Sequence, residues 1–174
     1  MSPQRAGLAL GLGLGLGMSA LFATGLWAAE PSKIQQLLSL REQTRAQVCK
    51  TLAPAKIDPN VAYQKIKPVE RISNPERWPG LFYFRGEKLM MIYVSGPSKA
   101  FLDGMDAKQI GAELGPGHPL PSRAGKTSNQ HVYPEKGFAF SEENGKIDFF
   151  EIFPPMTLAQ YLDGVYQPVG RFVK

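Results

Sequence analysis

FAFSEENGKIDFFEIF, residues 138–153, is the stretch that decides the fold. Asn144-Gly145 stands between two runs in which apolar and polar side chains alternate. Both central residues of the tightest hairpin turn need positive φ, which asparagine and glycine accept most readily, so the pair predicts a β-hairpin. A two-residue turn pairs Phe140 with Phe149 and Phe138 with Glu151. Phe138, Phe140, Ile147 and Phe149 then share one face of the hairpin, and Phe150 and Ile152 lie on the other. Two large apolar side chains on that second face need cover, from residues 54–80 of this chain or from a partner. Phe150 and Ile152 are therefore the candidate partner-binding residues.

Upstream, residues 129–133 read as a further strand. Residues 105–116, MDAKQIGAELGP, read as a helix with Asp106 as N-cap and Gln109 as its capping partner. Met105 and Ile110 sit at the two positions of a hydrophobic staple, Ile110 and Leu114 share one face, and Gly115-Pro116 stops the helix. A shorter helix opens at Ser98 and stops at Gly104. LFYFRGEKLMMIYV, residues 81–94, predicts a hairpin turning at Gly86-Glu87. Both of its faces are apolar, so it belongs in the centre of a sheet or under cover on both sides.

Residues 32–53 read as one helix that opens on a capping box of Ser32 and Gln35, although Arg41 and Arg45 interrupt its apolar stripe. Pro54, Pro59, Pro68, Pro75 and Pro79 make residues 54–80 mostly extended or irregular, with a short helix near 61–66. Thr157 caps a closing helix. The expected fold is α+β, with helices on an antiparallel sheet. Its core is a helix-helix-strand-strand-strand unit within 98–174; residues 30–97 add an N-terminal helix, the proline-rich segment and an extra hairpin, all as one folded domain, 30–174.

Residues 1–29 stand apart. Arg5 precedes an uncharged run, 6–29, with small residues near its end, the pattern of a secretory signal. The run is also long enough to cross an apolar layer of about 30 Å, so cleavage and retention as an inner-membrane anchor both fit. The expected location is periplasmic or otherwise extracytoplasmic, with membrane association through 6–29 if the run is kept. The net charge of +5 is scattered, which fits weak attraction to anionic headgroups or an acidic partner. Nucleic acid is not expected behind an export signal. Cys49 is the only cysteine, so no internal disulfide forms.

The chemistry-bearing letters do not assemble a catalytic pattern, and no catalytic residue, metal or cofactor is expected. Gly125-Lys126-Thr127 ends like a phosphate-binding loop, but Leu120 stands where such a loop needs its first glycine, and a strand rather than a helix follows. His118 and His131 lack further ligands at regular spacing. Ser122 or Ser128 with His131 and Asp148 could be drawn as a triad, as many sequences permit. Cys49 has no base near it in sequence. Glu142, Glu143, Asp148 and Glu151 alternate around a hairpin and read as a solvated edge. Met90, Met91 and Tyr93 would suit a small-ligand or lipid site, or simply core.

GMDAKQIGAELGPG, residues 104–117, resembles the G-M-T-x-x-Q-V-x-x-x-L-G-x-P motif of the SmpA/OmlA/BamE-like envelope proteins. Gly104, Met105, Gln109, Ile110, Leu114 and Gly115 match; Asp106 replaces the threonine, and Pro116 comes one place early. HVYPEKGFAFSEENGKIDFFEIF, residues 131–153, resembles the tyrosine-bearing strand and terminal hairpin of that family. The resemblance implies two helices packed on a three-stranded antiparallel sheet, a shape similar to β-lactamase inhibitor protein. It also implies an envelope scaffold or protein binder, or a secreted enzyme inhibitor, none of which needs a catalytic residue. The family's lipobox cysteine is missing, and residues 30–94 have no counterpart in it.

Overall fold

Three capping boxes and two glycine-bearing turns set the framework. A computed structural model describes residues 30–123 and 127–168; the apolar run 6–29 and Gly125-Lys126 lie outside them. The described residues from 31 onward belong to one compact unit. Helix α1, Lys33–Ser39, starts where the Ser32 side chain accepts the Gln35 N–H. Helix α2, Arg45–Thr51, starts on a full capping box of Thr44 and Gln47. The single helix read over 32–53 is therefore two, broken at Gln43, whose φ and ψ are extended. Arg41 and Arg45 mark that break rather than flaws in one stripe.

Four strands follow: β1 Lys56–Tyr63, β2 Ile66–Asn74, β3 Trp78–Arg85 and β4 Lys88–Ser95. Residues 54–80 are thus mostly extended, one of the two readings given for them, and the irregular alternative and the short helix near 61–66 are corrected. Proline is tolerated in a strand at an edge or a bulge. Pro59 lies on the edge strand β1, at a register shift between Asp58 and Val61, and Pro68 faces the next shift, between Val61 and Tyr63. The hairpin β3–β4 turns at Gly86-Glu87, as expected, with Gly86 at φ 59°.

The second half repeats this order. Helix α3, Lys99–Leu102, is capped by Ser98, and α4, Ala107–Leu114, by the Asp106–Gln109 box. Strands β5 His118–Pro121, β6 Asn129–Tyr133, β7 Phe138–Glu143 and β8 Lys146–Ile152 complete it. The sheet order β1-β2-β3-β4-β8-β7-β6-β5 reads as two four-stranded meanders joined last strand to last strand. The halves correspond in detail. Pro31-Ser32-Lys33 recurs as Pro97-Ser98-Lys99, and Thr44, Gln47, Val48 and Leu52 recur as Asp106, Gln109, Ile110 and Leu114. Lys88, Leu89 and Ile92 of β4 correspond to Lys146, Ile147 and Phe150 of β8.

Both inner hairpins carry a one-residue bulge at the same place, at Met90 in β4 and at Asp148 in β8. That bulge corrects the register read from the sequence. Asn144 and Gly145 do form the turn, at φ 52° and 76°. Beyond Asp148, however, Phe140 pairs with Phe150 and Phe138 with Ile152. An extra residue flips the face of everything after it. Phe150 and Ile152 thus join Phe138, Phe140 and Ile147 in the main core, under α1–α4, and Phe149 turns to the other face. Both are 0% exposed, so their cover comes from this chain and neither offers a surface to a partner.

The architecture is α+β with an antiparallel sheet, as read, but the sheet is a single one of eight strands rather than a small unit with an added hairpin. Helices α1–α4 cover one face, burying Ile34, Leu37, Val48, Leu102 and Ile110 against it. Helix α5, Leu158–Gly164, capped by Thr157 and Gln160, covers part of the other face together with Val165 and Tyr166. Among the described residues no helix is long and apolar enough to cross a membrane.

Candidate functional site

The face carrying α5 holds the most concentrated chemistry, at the seam between the halves. Tyr93 of β4 is paired with Glu151 of β8, and the two occupy equivalent positions of the repeat. Glu151 is 0% exposed. A carboxylate so deeply buried needs partners, and it has four. Its Oε1 accepts from Tyr63 Oη at 2.6 Å and Gln64 Nε2 at 3.0 Å, and from Arg123 Nη2, its ion-pair partner. Its Oε2 accepts from Tyr161 Oη at 2.6 Å, which in turn accepts from Gln130 Nε2 at 3.0 Å.

Five elements meet in this cluster. Tyr63 closes β1, Arg123 leaves the end of β5, Gln130 stands on β6, Glu151 on β8 and Tyr161 on α5. The arginine side chain lies over three rings, with its guanidinium carbon 4.8 Å from the centroid of Phe149, 5.5 Å from Tyr63 and 6.0 Å from Tyr93. Tyr63 itself packs against Tyr83 and Tyr93 at 4.8 and 5.5 Å. Burial and then the Glu151 charge hold the Tyr63 and Tyr161 hydroxyls protonated well above their ordinary range. Burial is the largest single influence on Arg123 and pulls its pKa down, but the Glu151 carboxylate together with Tyr63 and Tyr161 outweighs it and leaves the net shift upward.

Two atoms of the cluster, Arg123 Nε and Gln130 Oε1, are buried without a hydrogen-bond partner among the described residues. A leftover donor and a leftover acceptor in one buried cluster are costs that stability alone would remove. Beside Arg123 the surface dips into a recess of about 420 Å³ lined by Tyr93, Ser95, Asp148 and Phe149. The cluster offers an immobilised guanidinium among aromatic rings at the bottom of an open recess. That suits recognition; its carboxylate is fully engaged.

The residues singled out from sequence separate onto the two faces. His131 lies on the helix face, stacked on Phe140 at 4.9 Å. Ser141 lies on the other face and donates to Asp148 Oδ2 at 3.2 Å, while Ser122 Oγ meets Ser141 Oγ at 2.5 Å. Ser122 and Asp148 therefore meet through Ser141 on the face opposite His131, so Ser122, His131 and Asp148 are not brought together as a triad. His118 lies exposed on the edge strand β5. Among the described residues no group of three or more His, Cys, Asp or Glu is placed so that it could hold a metal ion. Leu120 also lies on β5, and strand β6 begins two residues after Thr127.

Glu151 corrects the reading of the acidic residues as a solvated edge, since it is the core of the cluster. Met91 is 0% exposed and belongs to the second core, with Met90 and Tyr93 packed at its margin. Sequence reasoning did not reach Tyr63, Arg123 or Tyr161. The only signal was Arg123 beside Ser122 between strands, and its carboxylate lies in another hairpin. No protein-family model matches the chain, and no curated protein or solved structure matches it.

Proposed function

We propose that the chain is a non-catalytic, exported domain of the bacterial cell envelope that binds another envelope protein through the α5-bearing face of its sheet. The supporting observation is the Arg123 guanidinium fixed over Phe149, Tyr63 and Tyr93 beside an open recess. Aromatic residues and arginine dominate the energetics of protein interfaces. Here their side-chain entropy is already spent in the fold, which lowers the cost of binding. The motif resemblance over 104–117 favours the same reading. Export, and membrane association if residues 6–29 are kept, follow from the uncharged run behind Arg5.

A photo-crosslinking residue at Tyr93 of the full-length protein, expressed in bacteria, tests this. It should give a discrete protein adduct; the same residue at Lys50, exposed on the helix side, should not. Ser95→Arg, which fills the recess from an exposed position, should remove the adduct and leave the melting temperature unchanged. An adduct that is equal from both positions, or indifferent to Ser95→Arg, would sink the proposal.

A further inference from the structure

The two halves differ where each helix pair meets its half-sheet. In the first half Arg45, the first residue of α2, donates Nε and Nη2 to Glu70 of β2 at 2.5 and 3.1 Å. Glu70 faces Phe84 across the β2–β3 pair. In the second half the helix position is Ala107 and the β2 position is Asn129. The carboxylate has moved one strand over: Glu142 stands in the place of Phe84, opposite Asn129. Cys49 and Ala53 of the first half are replaced by Gly111 and Gly115.

These exchanges leave a groove of about 620 Å³ between α4 and the β6–β7 strands. Its helix wall, at Ala107, Gly111 and Gly115, carries almost no side chain, and a Cβ at Gly111 would meet nothing within 4 Å. Its floor is aromatic, from Tyr133, Phe140 and the His131 ring stacked on Phe140 with 20° between their planes. Glu142 closes one end. Its Oε2 accepts the Gly145 N–H at 2.9 Å. Its Oε1 lies 3.6 Å from His131 Nε2, too far for a hydrogen bond, and accepts none among the described residues.

We propose that this groove binds an arginine side chain of a partner protein, which takes the place that Arg45 fills in the first half. The flat floor accepts a guanidinium plane by stacking, and the open carboxylate oxygen accepts its N–H groups. An anion would meet Glu142, and a bare ammonium would gain less from a flat aromatic floor. Lys108, exposed at the rim, is screened by solvent. That a protein partner exists rests on the protein-binding reading above, to which the groove adds a second contact on the helix face, in the half that does not carry Lys50; the groove and its chemistry do not rest on it.

The test is an amide NMR titration of the full chain in neutral detergent micelles with N-acetyl-arginine amide, and with the neutral N-acetyl-citrulline amide as control. Arginine amide should shift the amides of Gly111, His131, Glu142 and Gly145, and citrulline amide should not. Glu142→Gln should weaken the effect about tenfold. Gly111→Met, which fills the groove, and Ala107→Arg, which supplies the missing arginine in cis, should abolish it with the fold intact. Equal binding of the citrulline compound, shifts away from the groove, or an unchanged response in Glu142→Gln would overturn the assignment. Probe binding without a Tyr93 adduct would count against the protein-binding reading alone; the adduct without probe binding would count against the groove alone.

Discussion

Tyr93 and Glu151 face each other across the two central strands at equivalent positions of the repeat, which puts the pseudo-two-fold axis of the sheet between them. One half placed a tyrosine at the axis and the other a carboxylate. The carboxylate is where the halves are stitched together, since its partners come from β1, α5 and the end of β5. Removing one member of a buried ion pair costs more than removing both, because the survivor keeps its charge without a partner. Arg123→Met should therefore lower stability by about 3–5 kcal/mol. Arg123→Met with Glu151→Gln should lose clearly less, as the amide oxygen still accepts from one tyrosine and the amide NH2 can donate to the hydroxyl oxygen of the other. Urea melts of both variants give the comparison; a double variant no better than the single one would remove the ion pair from this account.

The same cluster sets an alkaline limit. Tyr63 and Tyr161 have pKa values raised in the folded chain above the ordinary 10.0. Below pH 10 both hydroxyls are protonated in the folded and unfolded chains, so their stabilisation is fully present. Above it the unfolded chain releases protons that the folded chain retains, and stability falls as pH rises. Each tyrosine should contribute up to about 1.4 kcal/mol per pH unit to that fall. Tyr63→Phe with Tyr161→Phe should flatten the alkaline limb of stability against pH. Phenolate absorbance from both residues before unfolding would contradict it.

Two glycines should answer in opposite directions to the same change. Gly137 has φ 69°, and a Cβ there would run into the Phe153 carbonyl oxygen. Its own carbonyl accepts the Phe153 N–H at 2.9 Å, so it cannot move away without losing that bond. Gly137→Ala should cost at least about 2 kcal/mol, from the left-handed backbone and the clash together. Gly111 is helical with open space where its Cβ would stand. Gly111→Ala should stabilise the chain by roughly 1 kcal/mol. Thermal melts of the two variants decide it.

Export is tested at the other end of the chain. Arg5 followed by the uncharged run 6–29 should carry a reporter across the inner membrane. A fusion of residues 1–40 to an enzyme active only outside the cytoplasm should be active, and a stable but silent fusion would refute export.

What was legible in the sequence was local. Ser98, Asp106 with Gln109, and Thr157 cap their helices because a side-chain oxygen three residues before a free N–H is a short-range device. Gly86 and Asn144-Gly145 turn their hairpins for a similarly local reason. What was not legible depended on distant partners. Thr44 with Gln47 is the same box as Asp106 with Gln109, but the apolar residues on both sides of it suggested one continuous helix. Pro59 and Pro68 argue against strands until the sheet shows that β1 is an edge with two register shifts. Glu151 reads as one more hairpin acid until Arg123 and Tyr161 close over it.

The bulge at Asp148 moved the most side chains, and deletions can test it directly. Asp148 is the extra residue, and without it the two-residue turn would pair Ser141 with Phe149 and Phe140 with Phe150 unaided. Deleting Asp148 should keep every core side chain on its present face. It forfeits the Ser141 Oγ bond to Asp148 Oδ2 and the bond from the Gly96 N–H to the Asp148 carbonyl, about 1 kcal/mol each. Deleting Ile147 instead shortens the strand by the same amount and also preserves the outer pairs. It puts the Asp148 carboxylate where Ile147, 4% exposed, packs in the main core. That loses an apolar side chain and buries an unpaired charge, a combination costing several kcal/mol. The Asp148 deletion should unfold cooperatively with modest loss, and the Ile147 deletion should be largely unfolded or far less stable. If the two were equally damaged, the strand would not be using Asp148 as its bulge, and the placement of Phe149 and Phe150 on opposite faces would have to be abandoned.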